Sequence, residues 1–142
     1  MNLIKDRRGG MTILFLGIVF VLLSLTFLIL ELGSTYERYD YAMDVLQRAC
    51  NSAVERNIRD EYRADKILLL DCDGAETDFR SYARLDLPDR YRLEIESVSC
   101  TDSPPGMTAI GKITFSTMFS QYGFRDVTYS FKVRATNYDL DP

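Results

Sequence analysis

The 142-residue sequence contains no histidine and no tryptophan, and it has only three cysteines and four prolines. The absence of histidine removes the commonest acid–base group of enzymes, and without a CxxC pair the chain also lacks the usual zinc ligands. The motifs of serine hydrolases, phosphate-binding loops and zinc proteases are missing as well. We therefore expect a protein that is not an enzyme and that binds no cofactor.

Charge is absent from the twenty residues Met11 to Leu30, which also contain no proline. At about 1.5 Å rise per residue, such a helix is roughly 30 Å long, the thickness of a bilayer's hydrocarbon core. Its polar side chains can donate hydrogen bonds to helix carbonyls, so the backbone needs no water; they are Thr12, Ser24 and Thr26. The run predicts a transmembrane helix at residues 11–31.

A cleaved secretory signal is the alternative for this run. Such signals have a shorter apolar region, about 7 to 15 residues, and end at a small-residue site. Here the run is longer and ends in Leu30 followed by Glu31-Leu-Gly33. A retained anchor is therefore favoured.

The charges before the run predict its direction. Lys5, Arg7 and Arg8 outnumber Asp6, and the positive-inside rule retains such a leader, residues 1–10, in the cytoplasm. Residues 32–142 are then extracytoplasmic. The leader carries +2 (three cations less one anion) and the whole chain −4, which leaves −6 for the remainder. We therefore expect neither nucleic acid nor an anionic lipid surface as its partner.

Apolar residues continue beyond the run at alternate spacings of four and three, which predicts one apolar helix face. We expect the helix to continue over residues 32–59, giving one helix of about 45 to 50 residues. This face packs either on the chain's own C-terminal part or on neighbouring helices in a coiled coil. Its residues are Leu32, Tyr36, Tyr39, Met43, Leu46, Cys50 and Ala53.

The C-terminal half has the pattern of a small antiparallel sheet. Lys66 to Asp71 is a candidate strand, and Thr77 to Leu85 a candidate short helix before Pro88. Residues 91–98 alternate apolar and polar with one slip after Ile95, which predicts a bulge, and residues 127–136 alternate without interruption. About 110 exported residues can form one core. We predict an α+β fold in which the long helix covers three or four antiparallel strands.

The three cysteines, Cys50, Cys72 and Cys100, all lie on the predicted exported side, where disulfides persist. Cys72 and Cys100 each follow a predicted strand, so a bridge between them is sterically reasonable, although three pairings are open. Cys50 falls on the apolar helix face and is expected to be a small buried hydrophobe.

Four carboxylates surround Gly74 and are the nearest approach to a metal site: Asp71, Asp73, Glu76 and Asp78. Calcium prefers such oxygen ligands, but the spacing lacks the third acidic position and the closing glutamate of the twelve-residue calcium loop. We favour a solvated turn here and keep calcium as the weaker alternative.

The start of the chain resembles a known family. Arg7-Arg-Gly-Gly10 directly before an apolar helix resembles the leader junction of type IV pilin-like proteins. With Glu31-Leu-Gly33 and the segment Leu46-Gln-Arg-Ala-Cys-Asn-Ser-Ala53, residues 5 to 55 resemble the TadE-like pseudopilins of the tight-adherence pilus. The resemblance implies cleavage by a prepilin peptidase at Gly9, Gly10 and Met11. It also implies, as partners, the lipid bilayer, other pilin-like subunits and the pilus assembly machinery.

One position departs from that family. Its members usually carry a glutamate five residues into the mature helix, but cleavage after Gly10 places Phe15 there and cleavage after Gly9 places Leu14. The resemblance therefore implies a minor or initiating subunit, or an uncut accessory protein, rather than a main filament pilin. The alternative from the residues alone is a single-pass anchored extracytoplasmic sensor or ligand-binding module.

Overall fold

A computed structural model of the chain describes residues 7–59, 69–102 and 104–136. The chain divides into two compact units, Met1–Glu37 and Arg38–Pro142. The elements in chain order are helix α1 (Arg7–Arg56), strands β1 (Ile58–Arg59) and β2 (Leu69–Leu70), helix α2 (Cys72–Asp86), strands β3 (Tyr91–Thr101) and β4 (Gly106–Phe115), a 3₁₀ helix (Met118–Tyr122) and strand β5 (Val127–Thr136).

The single long helix predicted from the sequence is confirmed, since α1 has 50 residues. It ends at Arg56, three residues before the predicted end at 59. The Asn57 amide nitrogen Nδ2 donates to the carbonyl of Ala53, at 2.8 Å, and the Asn57 carbonyl accepts from the Asp71 backbone N–H, at 3.0 Å. The next two residues then pair with β2 in a two-stranded antiparallel sheet, so strand pairing replaces the helical hydrogen bonds.

Within the second unit, the α1 residues that face the sheet are more numerous than the predicted stripe. Leu46, Cys50 and Ala53 are buried and Tyr39 and Met43 half-buried, as expected for an apolar face. The first two residues of the predicted stripe, Leu32 and Tyr36, lie in the first unit and are exposed. Further buried residues widen this face on both sides: Ala42, Val45, Ala49 and Val54. The helix therefore packs on its own domain, which was one of the two interpretations of the stripe.

The main sheet has three antiparallel strands in the order β3–β4–β5. The predicted bulge is confirmed between Ile95 and Ser97. Because the extra residue shifts the side-chain alternation by one, Val98 and Cys100 lie on the same face as Leu93 and Ile95. The bulge thus keeps one apolar face along the whole of β3.

Cys72 to Asp78, predicted as part of a turn, belong instead to α2, and this prediction was wrong; the short helix predicted at Thr77 to Leu85 is the later part of α2. Asp71 caps the helix by accepting the backbone N–H of Gly74, and the apolar residues Ala75, Phe79 and Ala83 recur every fourth position on its buried face. The helix ends before Pro88, which disfavours helical backbone at the preceding residue.

The strand predicted at Lys66 to Asp71 is observed in part, as Leu69–Leu70; residues 66–68 lie outside the described residues. The core of the second unit is formed by α1, α2 and one sheet face, with Phe79, Phe115 and Leu46 among its largest fully buried side chains. The α+β arrangement expected from the sequence, a long N-terminal helix packed on a three-stranded antiparallel sheet, is confirmed.

Candidate functional site

The first part of α1 presents apolar side chains to its surroundings. Its exposed large apolar residues range from 41% exposed at Phe27 to 76% at Met11. This helix is long and apolar enough to span a membrane. A helix that is apolar on all sides over this length is typical of a segment surrounded by lipid.

Polar side chains within this stretch are satisfied by the helix itself. The Ser24 hydroxyl donates to the carbonyl of Phe20, and the Thr26 hydroxyl donates to the carbonyl of Leu22, both at 2.9 Å. These bonds are the ones predicted from the sequence for hydroxyl groups without water. The stretch therefore exposes no unsatisfied hydroxyl group at either position.

Glu31, directly after the apolar stretch, is 6% exposed. Among the described residues, neither of its carboxylate oxygens has a hydrogen-bond partner. The sequence pattern placed Glu31 at the end of the span but gave no signal of its burial.

The residues of the implied processing site lie in the first turns of α1, which begins at Arg7. A Cβ atom added at Gly10 would meet nothing within 4 Å, and Met11 is exposed. A protease binds an extended rather than a helical backbone, and glycine lowers the free-energy cost of unwinding a helix. The paired glycines Gly9 and Gly10 therefore lower the free-energy cost of unwinding the first turns of this helix.

The four carboxylates of the calcium hypothesis lie along α2 and have separate roles. Asp71 is the N-cap, and the Glu76 carboxylate accepts two hydrogen bonds from Arg80, at 2.8 and 2.9 Å. Asp78 accepts from the Asn57 side chain at 3.0 Å, while Asp73 lies in the first turn. Within the described part of the chain these four do not form a group able to hold a metal ion. Their geometry is that of a capped and ion-paired helix.

Cys72 and Cys100 are joined by a disulfide, with Cα atoms 5.8 Å apart. The bond links the start of α2 to the far end of β3. The Asp102 carboxylate lies 3.0 Å from the Cys72 sulfur, and these three residues are the one potential metal-ligand group among the described residues. Because both sulfurs are in the disulfide, neither is a thiolate available to a metal.

Cys50 is a free thiol and fully buried, as the stripe predicted. Burial raises the pKa of this thiol from 9.0 to about 11. A thiol with so high a pKa is protonated at neutral pH and is a poor nucleophile.

Comparison of the chain with known proteins adds no further constraint. No family model, curated protein or solved structure matches it. The functional argument therefore depends on the residues described above.

Proposed function

We propose that this chain is a membrane-anchored, pilin-like subunit that acts by assembly and not by catalysis. The observation that carries the proposal is α1 itself, one continuous helix whose first part is exposed and apolar and whose last part covers the sheet. A helix of this design can pack laterally against other such helices in a membrane or a filament core while the sheet domain remains outside.

The leader supports the same proposal. Arg7-Arg-Gly-Gly10 precedes the apolar stretch and resembles the cleavage junction of TadE-like pseudopilins. The apolar residues Phe15 and Leu14 stand where the family usually has a glutamate. We therefore propose a minor or initiating role in a tight-adherence pilus or a related secretion apparatus.

The proposed location is the bacterial cytoplasmic membrane, with the basic leader inside and the sheet domain outside. The excess of cations before the span supports this orientation. A reporter enzyme fused after Pro142 should therefore be exported, and protease added to intact spheroplasts should digest the domain. Full protection of the domain would contradict the orientation.

Processing is tested in cells that produce an active prepilin peptidase. Mass spectrometry of the membrane-bound protein should detect a new N-terminus after Gly9 or Gly10. A variant with both glycines replaced by leucine should stay at its full mass, while Gly17→Leu, inside the span, should be processed normally. Recovery of intact Met1 from the wild-type protein would remove support for a cleaved subunit.

Assembly is tested by cross-linking within the apolar stretch. A cysteine at an exposed position of the span, such as Leu22→Cys, should give disulfide-linked dimers when the protein is coexpressed with the assembly machinery. A cysteine on the solvent side of the domain, such as Lys132→Cys, is the matched control. The sensor alternative predicts no machinery-dependent cross-linking at either position.

A further inference from the structure

The connection between β4 and β5, residues 116–126, carries three exposed large apolar side chains. Met118 is 47% exposed, Tyr122 69% and Phe124 65%. We call this segment the β4–β5 loop. Large apolar side chains grouped on one surface segment of a small domain usually mark a contact with a partner or a membrane.

The loop's own hydrogen bonds hold it in shape. The Thr117 N–H donates to the Ser120 hydroxyl at 3.0 Å, and Gly123, at φ 89°, ends the 3₁₀ helix in the left-handed conformation. The rings of Phe119 and Phe124 meet edge to face with centroids 5.5 Å apart. The loop thus has a defined, hydrogen-bonded conformation in which its large apolar side chains are exposed.

The loop lies at the end of the sheet domain where the chain enters it. Arg38 is the first residue of this unit, and its guanidinium donates to the carbonyl of Ser116, the first residue of the loop. The Tyr91 hydroxyl donates to the Arg38 carbonyl at 3.3 Å, and Tyr91 pairs with Phe115 across the β3–β4 ladder. The loop and the entry point therefore share one end of the domain.

This end of the domain is tethered closely to the apolar stretch. Arg38 follows Leu30 by eight residues, which span about 12 Å as a helix and at most about 28 Å when extended. A bilayer crossed by the apolar stretch would therefore have its surface within reach of the loop. The opposite end of the sheet, formed by Thr101, Gly106 and Thr136, lies about 30 Å away along the strands by register.

The charges near the loop permit contact with lipid. Asp126 is paired with Arg92 at 2.8 Å, and the exposed side chain next to Phe124 is the cation Arg125. Tyrosine rings favour the headgroup level of a membrane, and cationic side chains extend from there to water. Contact of these apolar side chains with the membrane needs no anionic lipid, which agrees with the acidic charge of the exported part.

We propose that the β4–β5 loop inserts Met118, Tyr122 and Phe124 into the interfacial layer of the membrane that α1 crosses. The inference depends on the proposed membrane anchoring. The contact holds the sheet domain at the bilayer surface, so that a subunit waiting in the membrane presents a fixed orientation to the helices it assembles with.

The experiment uses the full chain in vesicles of phosphatidylcholine whose acyl chains carry bromine, which quenches tryptophan fluorescence at close range. The chain has no tryptophan, so each introduced tryptophan is a single reporter. Phe124→Trp reports on the loop. Thr101→Trp, exposed at the opposite end of the sheet, is the matched control.

We expect quenching of the Phe124→Trp reporter to be at least about threefold that of Thr101→Trp, because an interfacial side chain lies roughly 5–10 Å into the membrane boundary. Tyr122→Trp gives an independent reporter in case the first variant alters the loop. Replacing Met118 and Phe124 by serine in the Tyr122→Trp background should reduce its quenching to the control level.

Three results would overturn the inference in distinguishable ways. Flotation of the protein with the vesicles, but equal quenching at both ends of the sheet, would overturn the loop contact alone. Failure to float with vesicles would overturn the membrane anchoring and the loop contact together. Quenching that appears only at high protein density, together with cross-links between loops, would identify a second copy as the occupant instead of lipid.

Discussion

Gly111 lies directly opposite Phe131 in the β4–β5 ladder, and the missing side chain of Gly111 provides the space for the Phe131 ring. A Cβ atom at position 111 would lie 2.9 Å from two ring atoms of Phe131 and would also collide with the backbone carbonyl of Glu94 on β3. The centre of the sheet therefore depends on one glycine that allows a close approach on two sides.

Gly111→Ala should lower the free energy of unfolding by at least about 2 kcal/mol, because the Glu94 carbonyl belongs to the ladder and cannot move away without breaking it. Chemical denaturation of a fragment from Ser34 onward measures the change. Gly106→Ala on the same strand is the control, since its added Cβ meets its nearest neighbours at 3.4 Å or more. Equal stabilities of the two variants would show that the strands can move apart at position 111 to accommodate the added methyl group.

A fragment from Ser34 onward should fold without the apolar stretch, because its core is formed within the second unit. Truncation of a core residue, Leu46→Ala or Phe131→Ala, should cost about 2 to 5 kcal/mol. Arg48→Ala and Lys132→Ala, at exposed positions of the same helix and strand, should change stability by no more than about 0.5 kcal/mol. Thermal melts in which both sets have the same effect would contradict the packing of α1 on the sheet.

Loss of the Cys72–Cys100 disulfide should destabilise the domain by about 2 to 4 kcal/mol, since the bond closes a loop between residues 28 apart. The double variant Cys72→Ser, Cys100→Ser measures this by urea denaturation, and wild type with reductant should match it. Reductant should leave the double variant unchanged. A reductant effect in that variant would point to Cys50, the free thiol, as a participant.

Cys50 should make stability depend on alkaline pH. Burial raises its pKa to about 11 in the folded state, so the folded protein holds the thiol proton more tightly than the unfolded chain does. The contribution of the protonated Cys50 thiol to the free energy of unfolding is complete below about pH 9. This contribution, about 2 to 3 kcal/mol, is lost as the pH rises towards 11. The measurement is the difference in unfolding free energy between wild type and Cys50→Ala at several pH values. If the unfolding free energies of the two proteins change with pH in the same way, burial does not disfavour the Cys50 thiolate.

The features that the sequence predicted well are those set by local pattern. Twenty uncharged residues require a helix in lipid, and strict alternation at residues 127–136 requires a strand with one buried face. The slip after Ile95 predicted the bulge because only a shift in alternation returns Val98 to the apolar side. The candidate site, an apolar helix behind a basic leader, was likewise visible in the sequence.

Other features were decided by tertiary structure. Asp71 to Asp78 has the composition of a turn, yet the buried contacts of Phe79 and the cap at Asp71 make it helical. The position of the β4–β5 loop at the Arg38 end follows from strand register and one hydrogen bond. Periodicity determines which face of an element is apolar, whereas the chain's long-range pairing decides what that face meets.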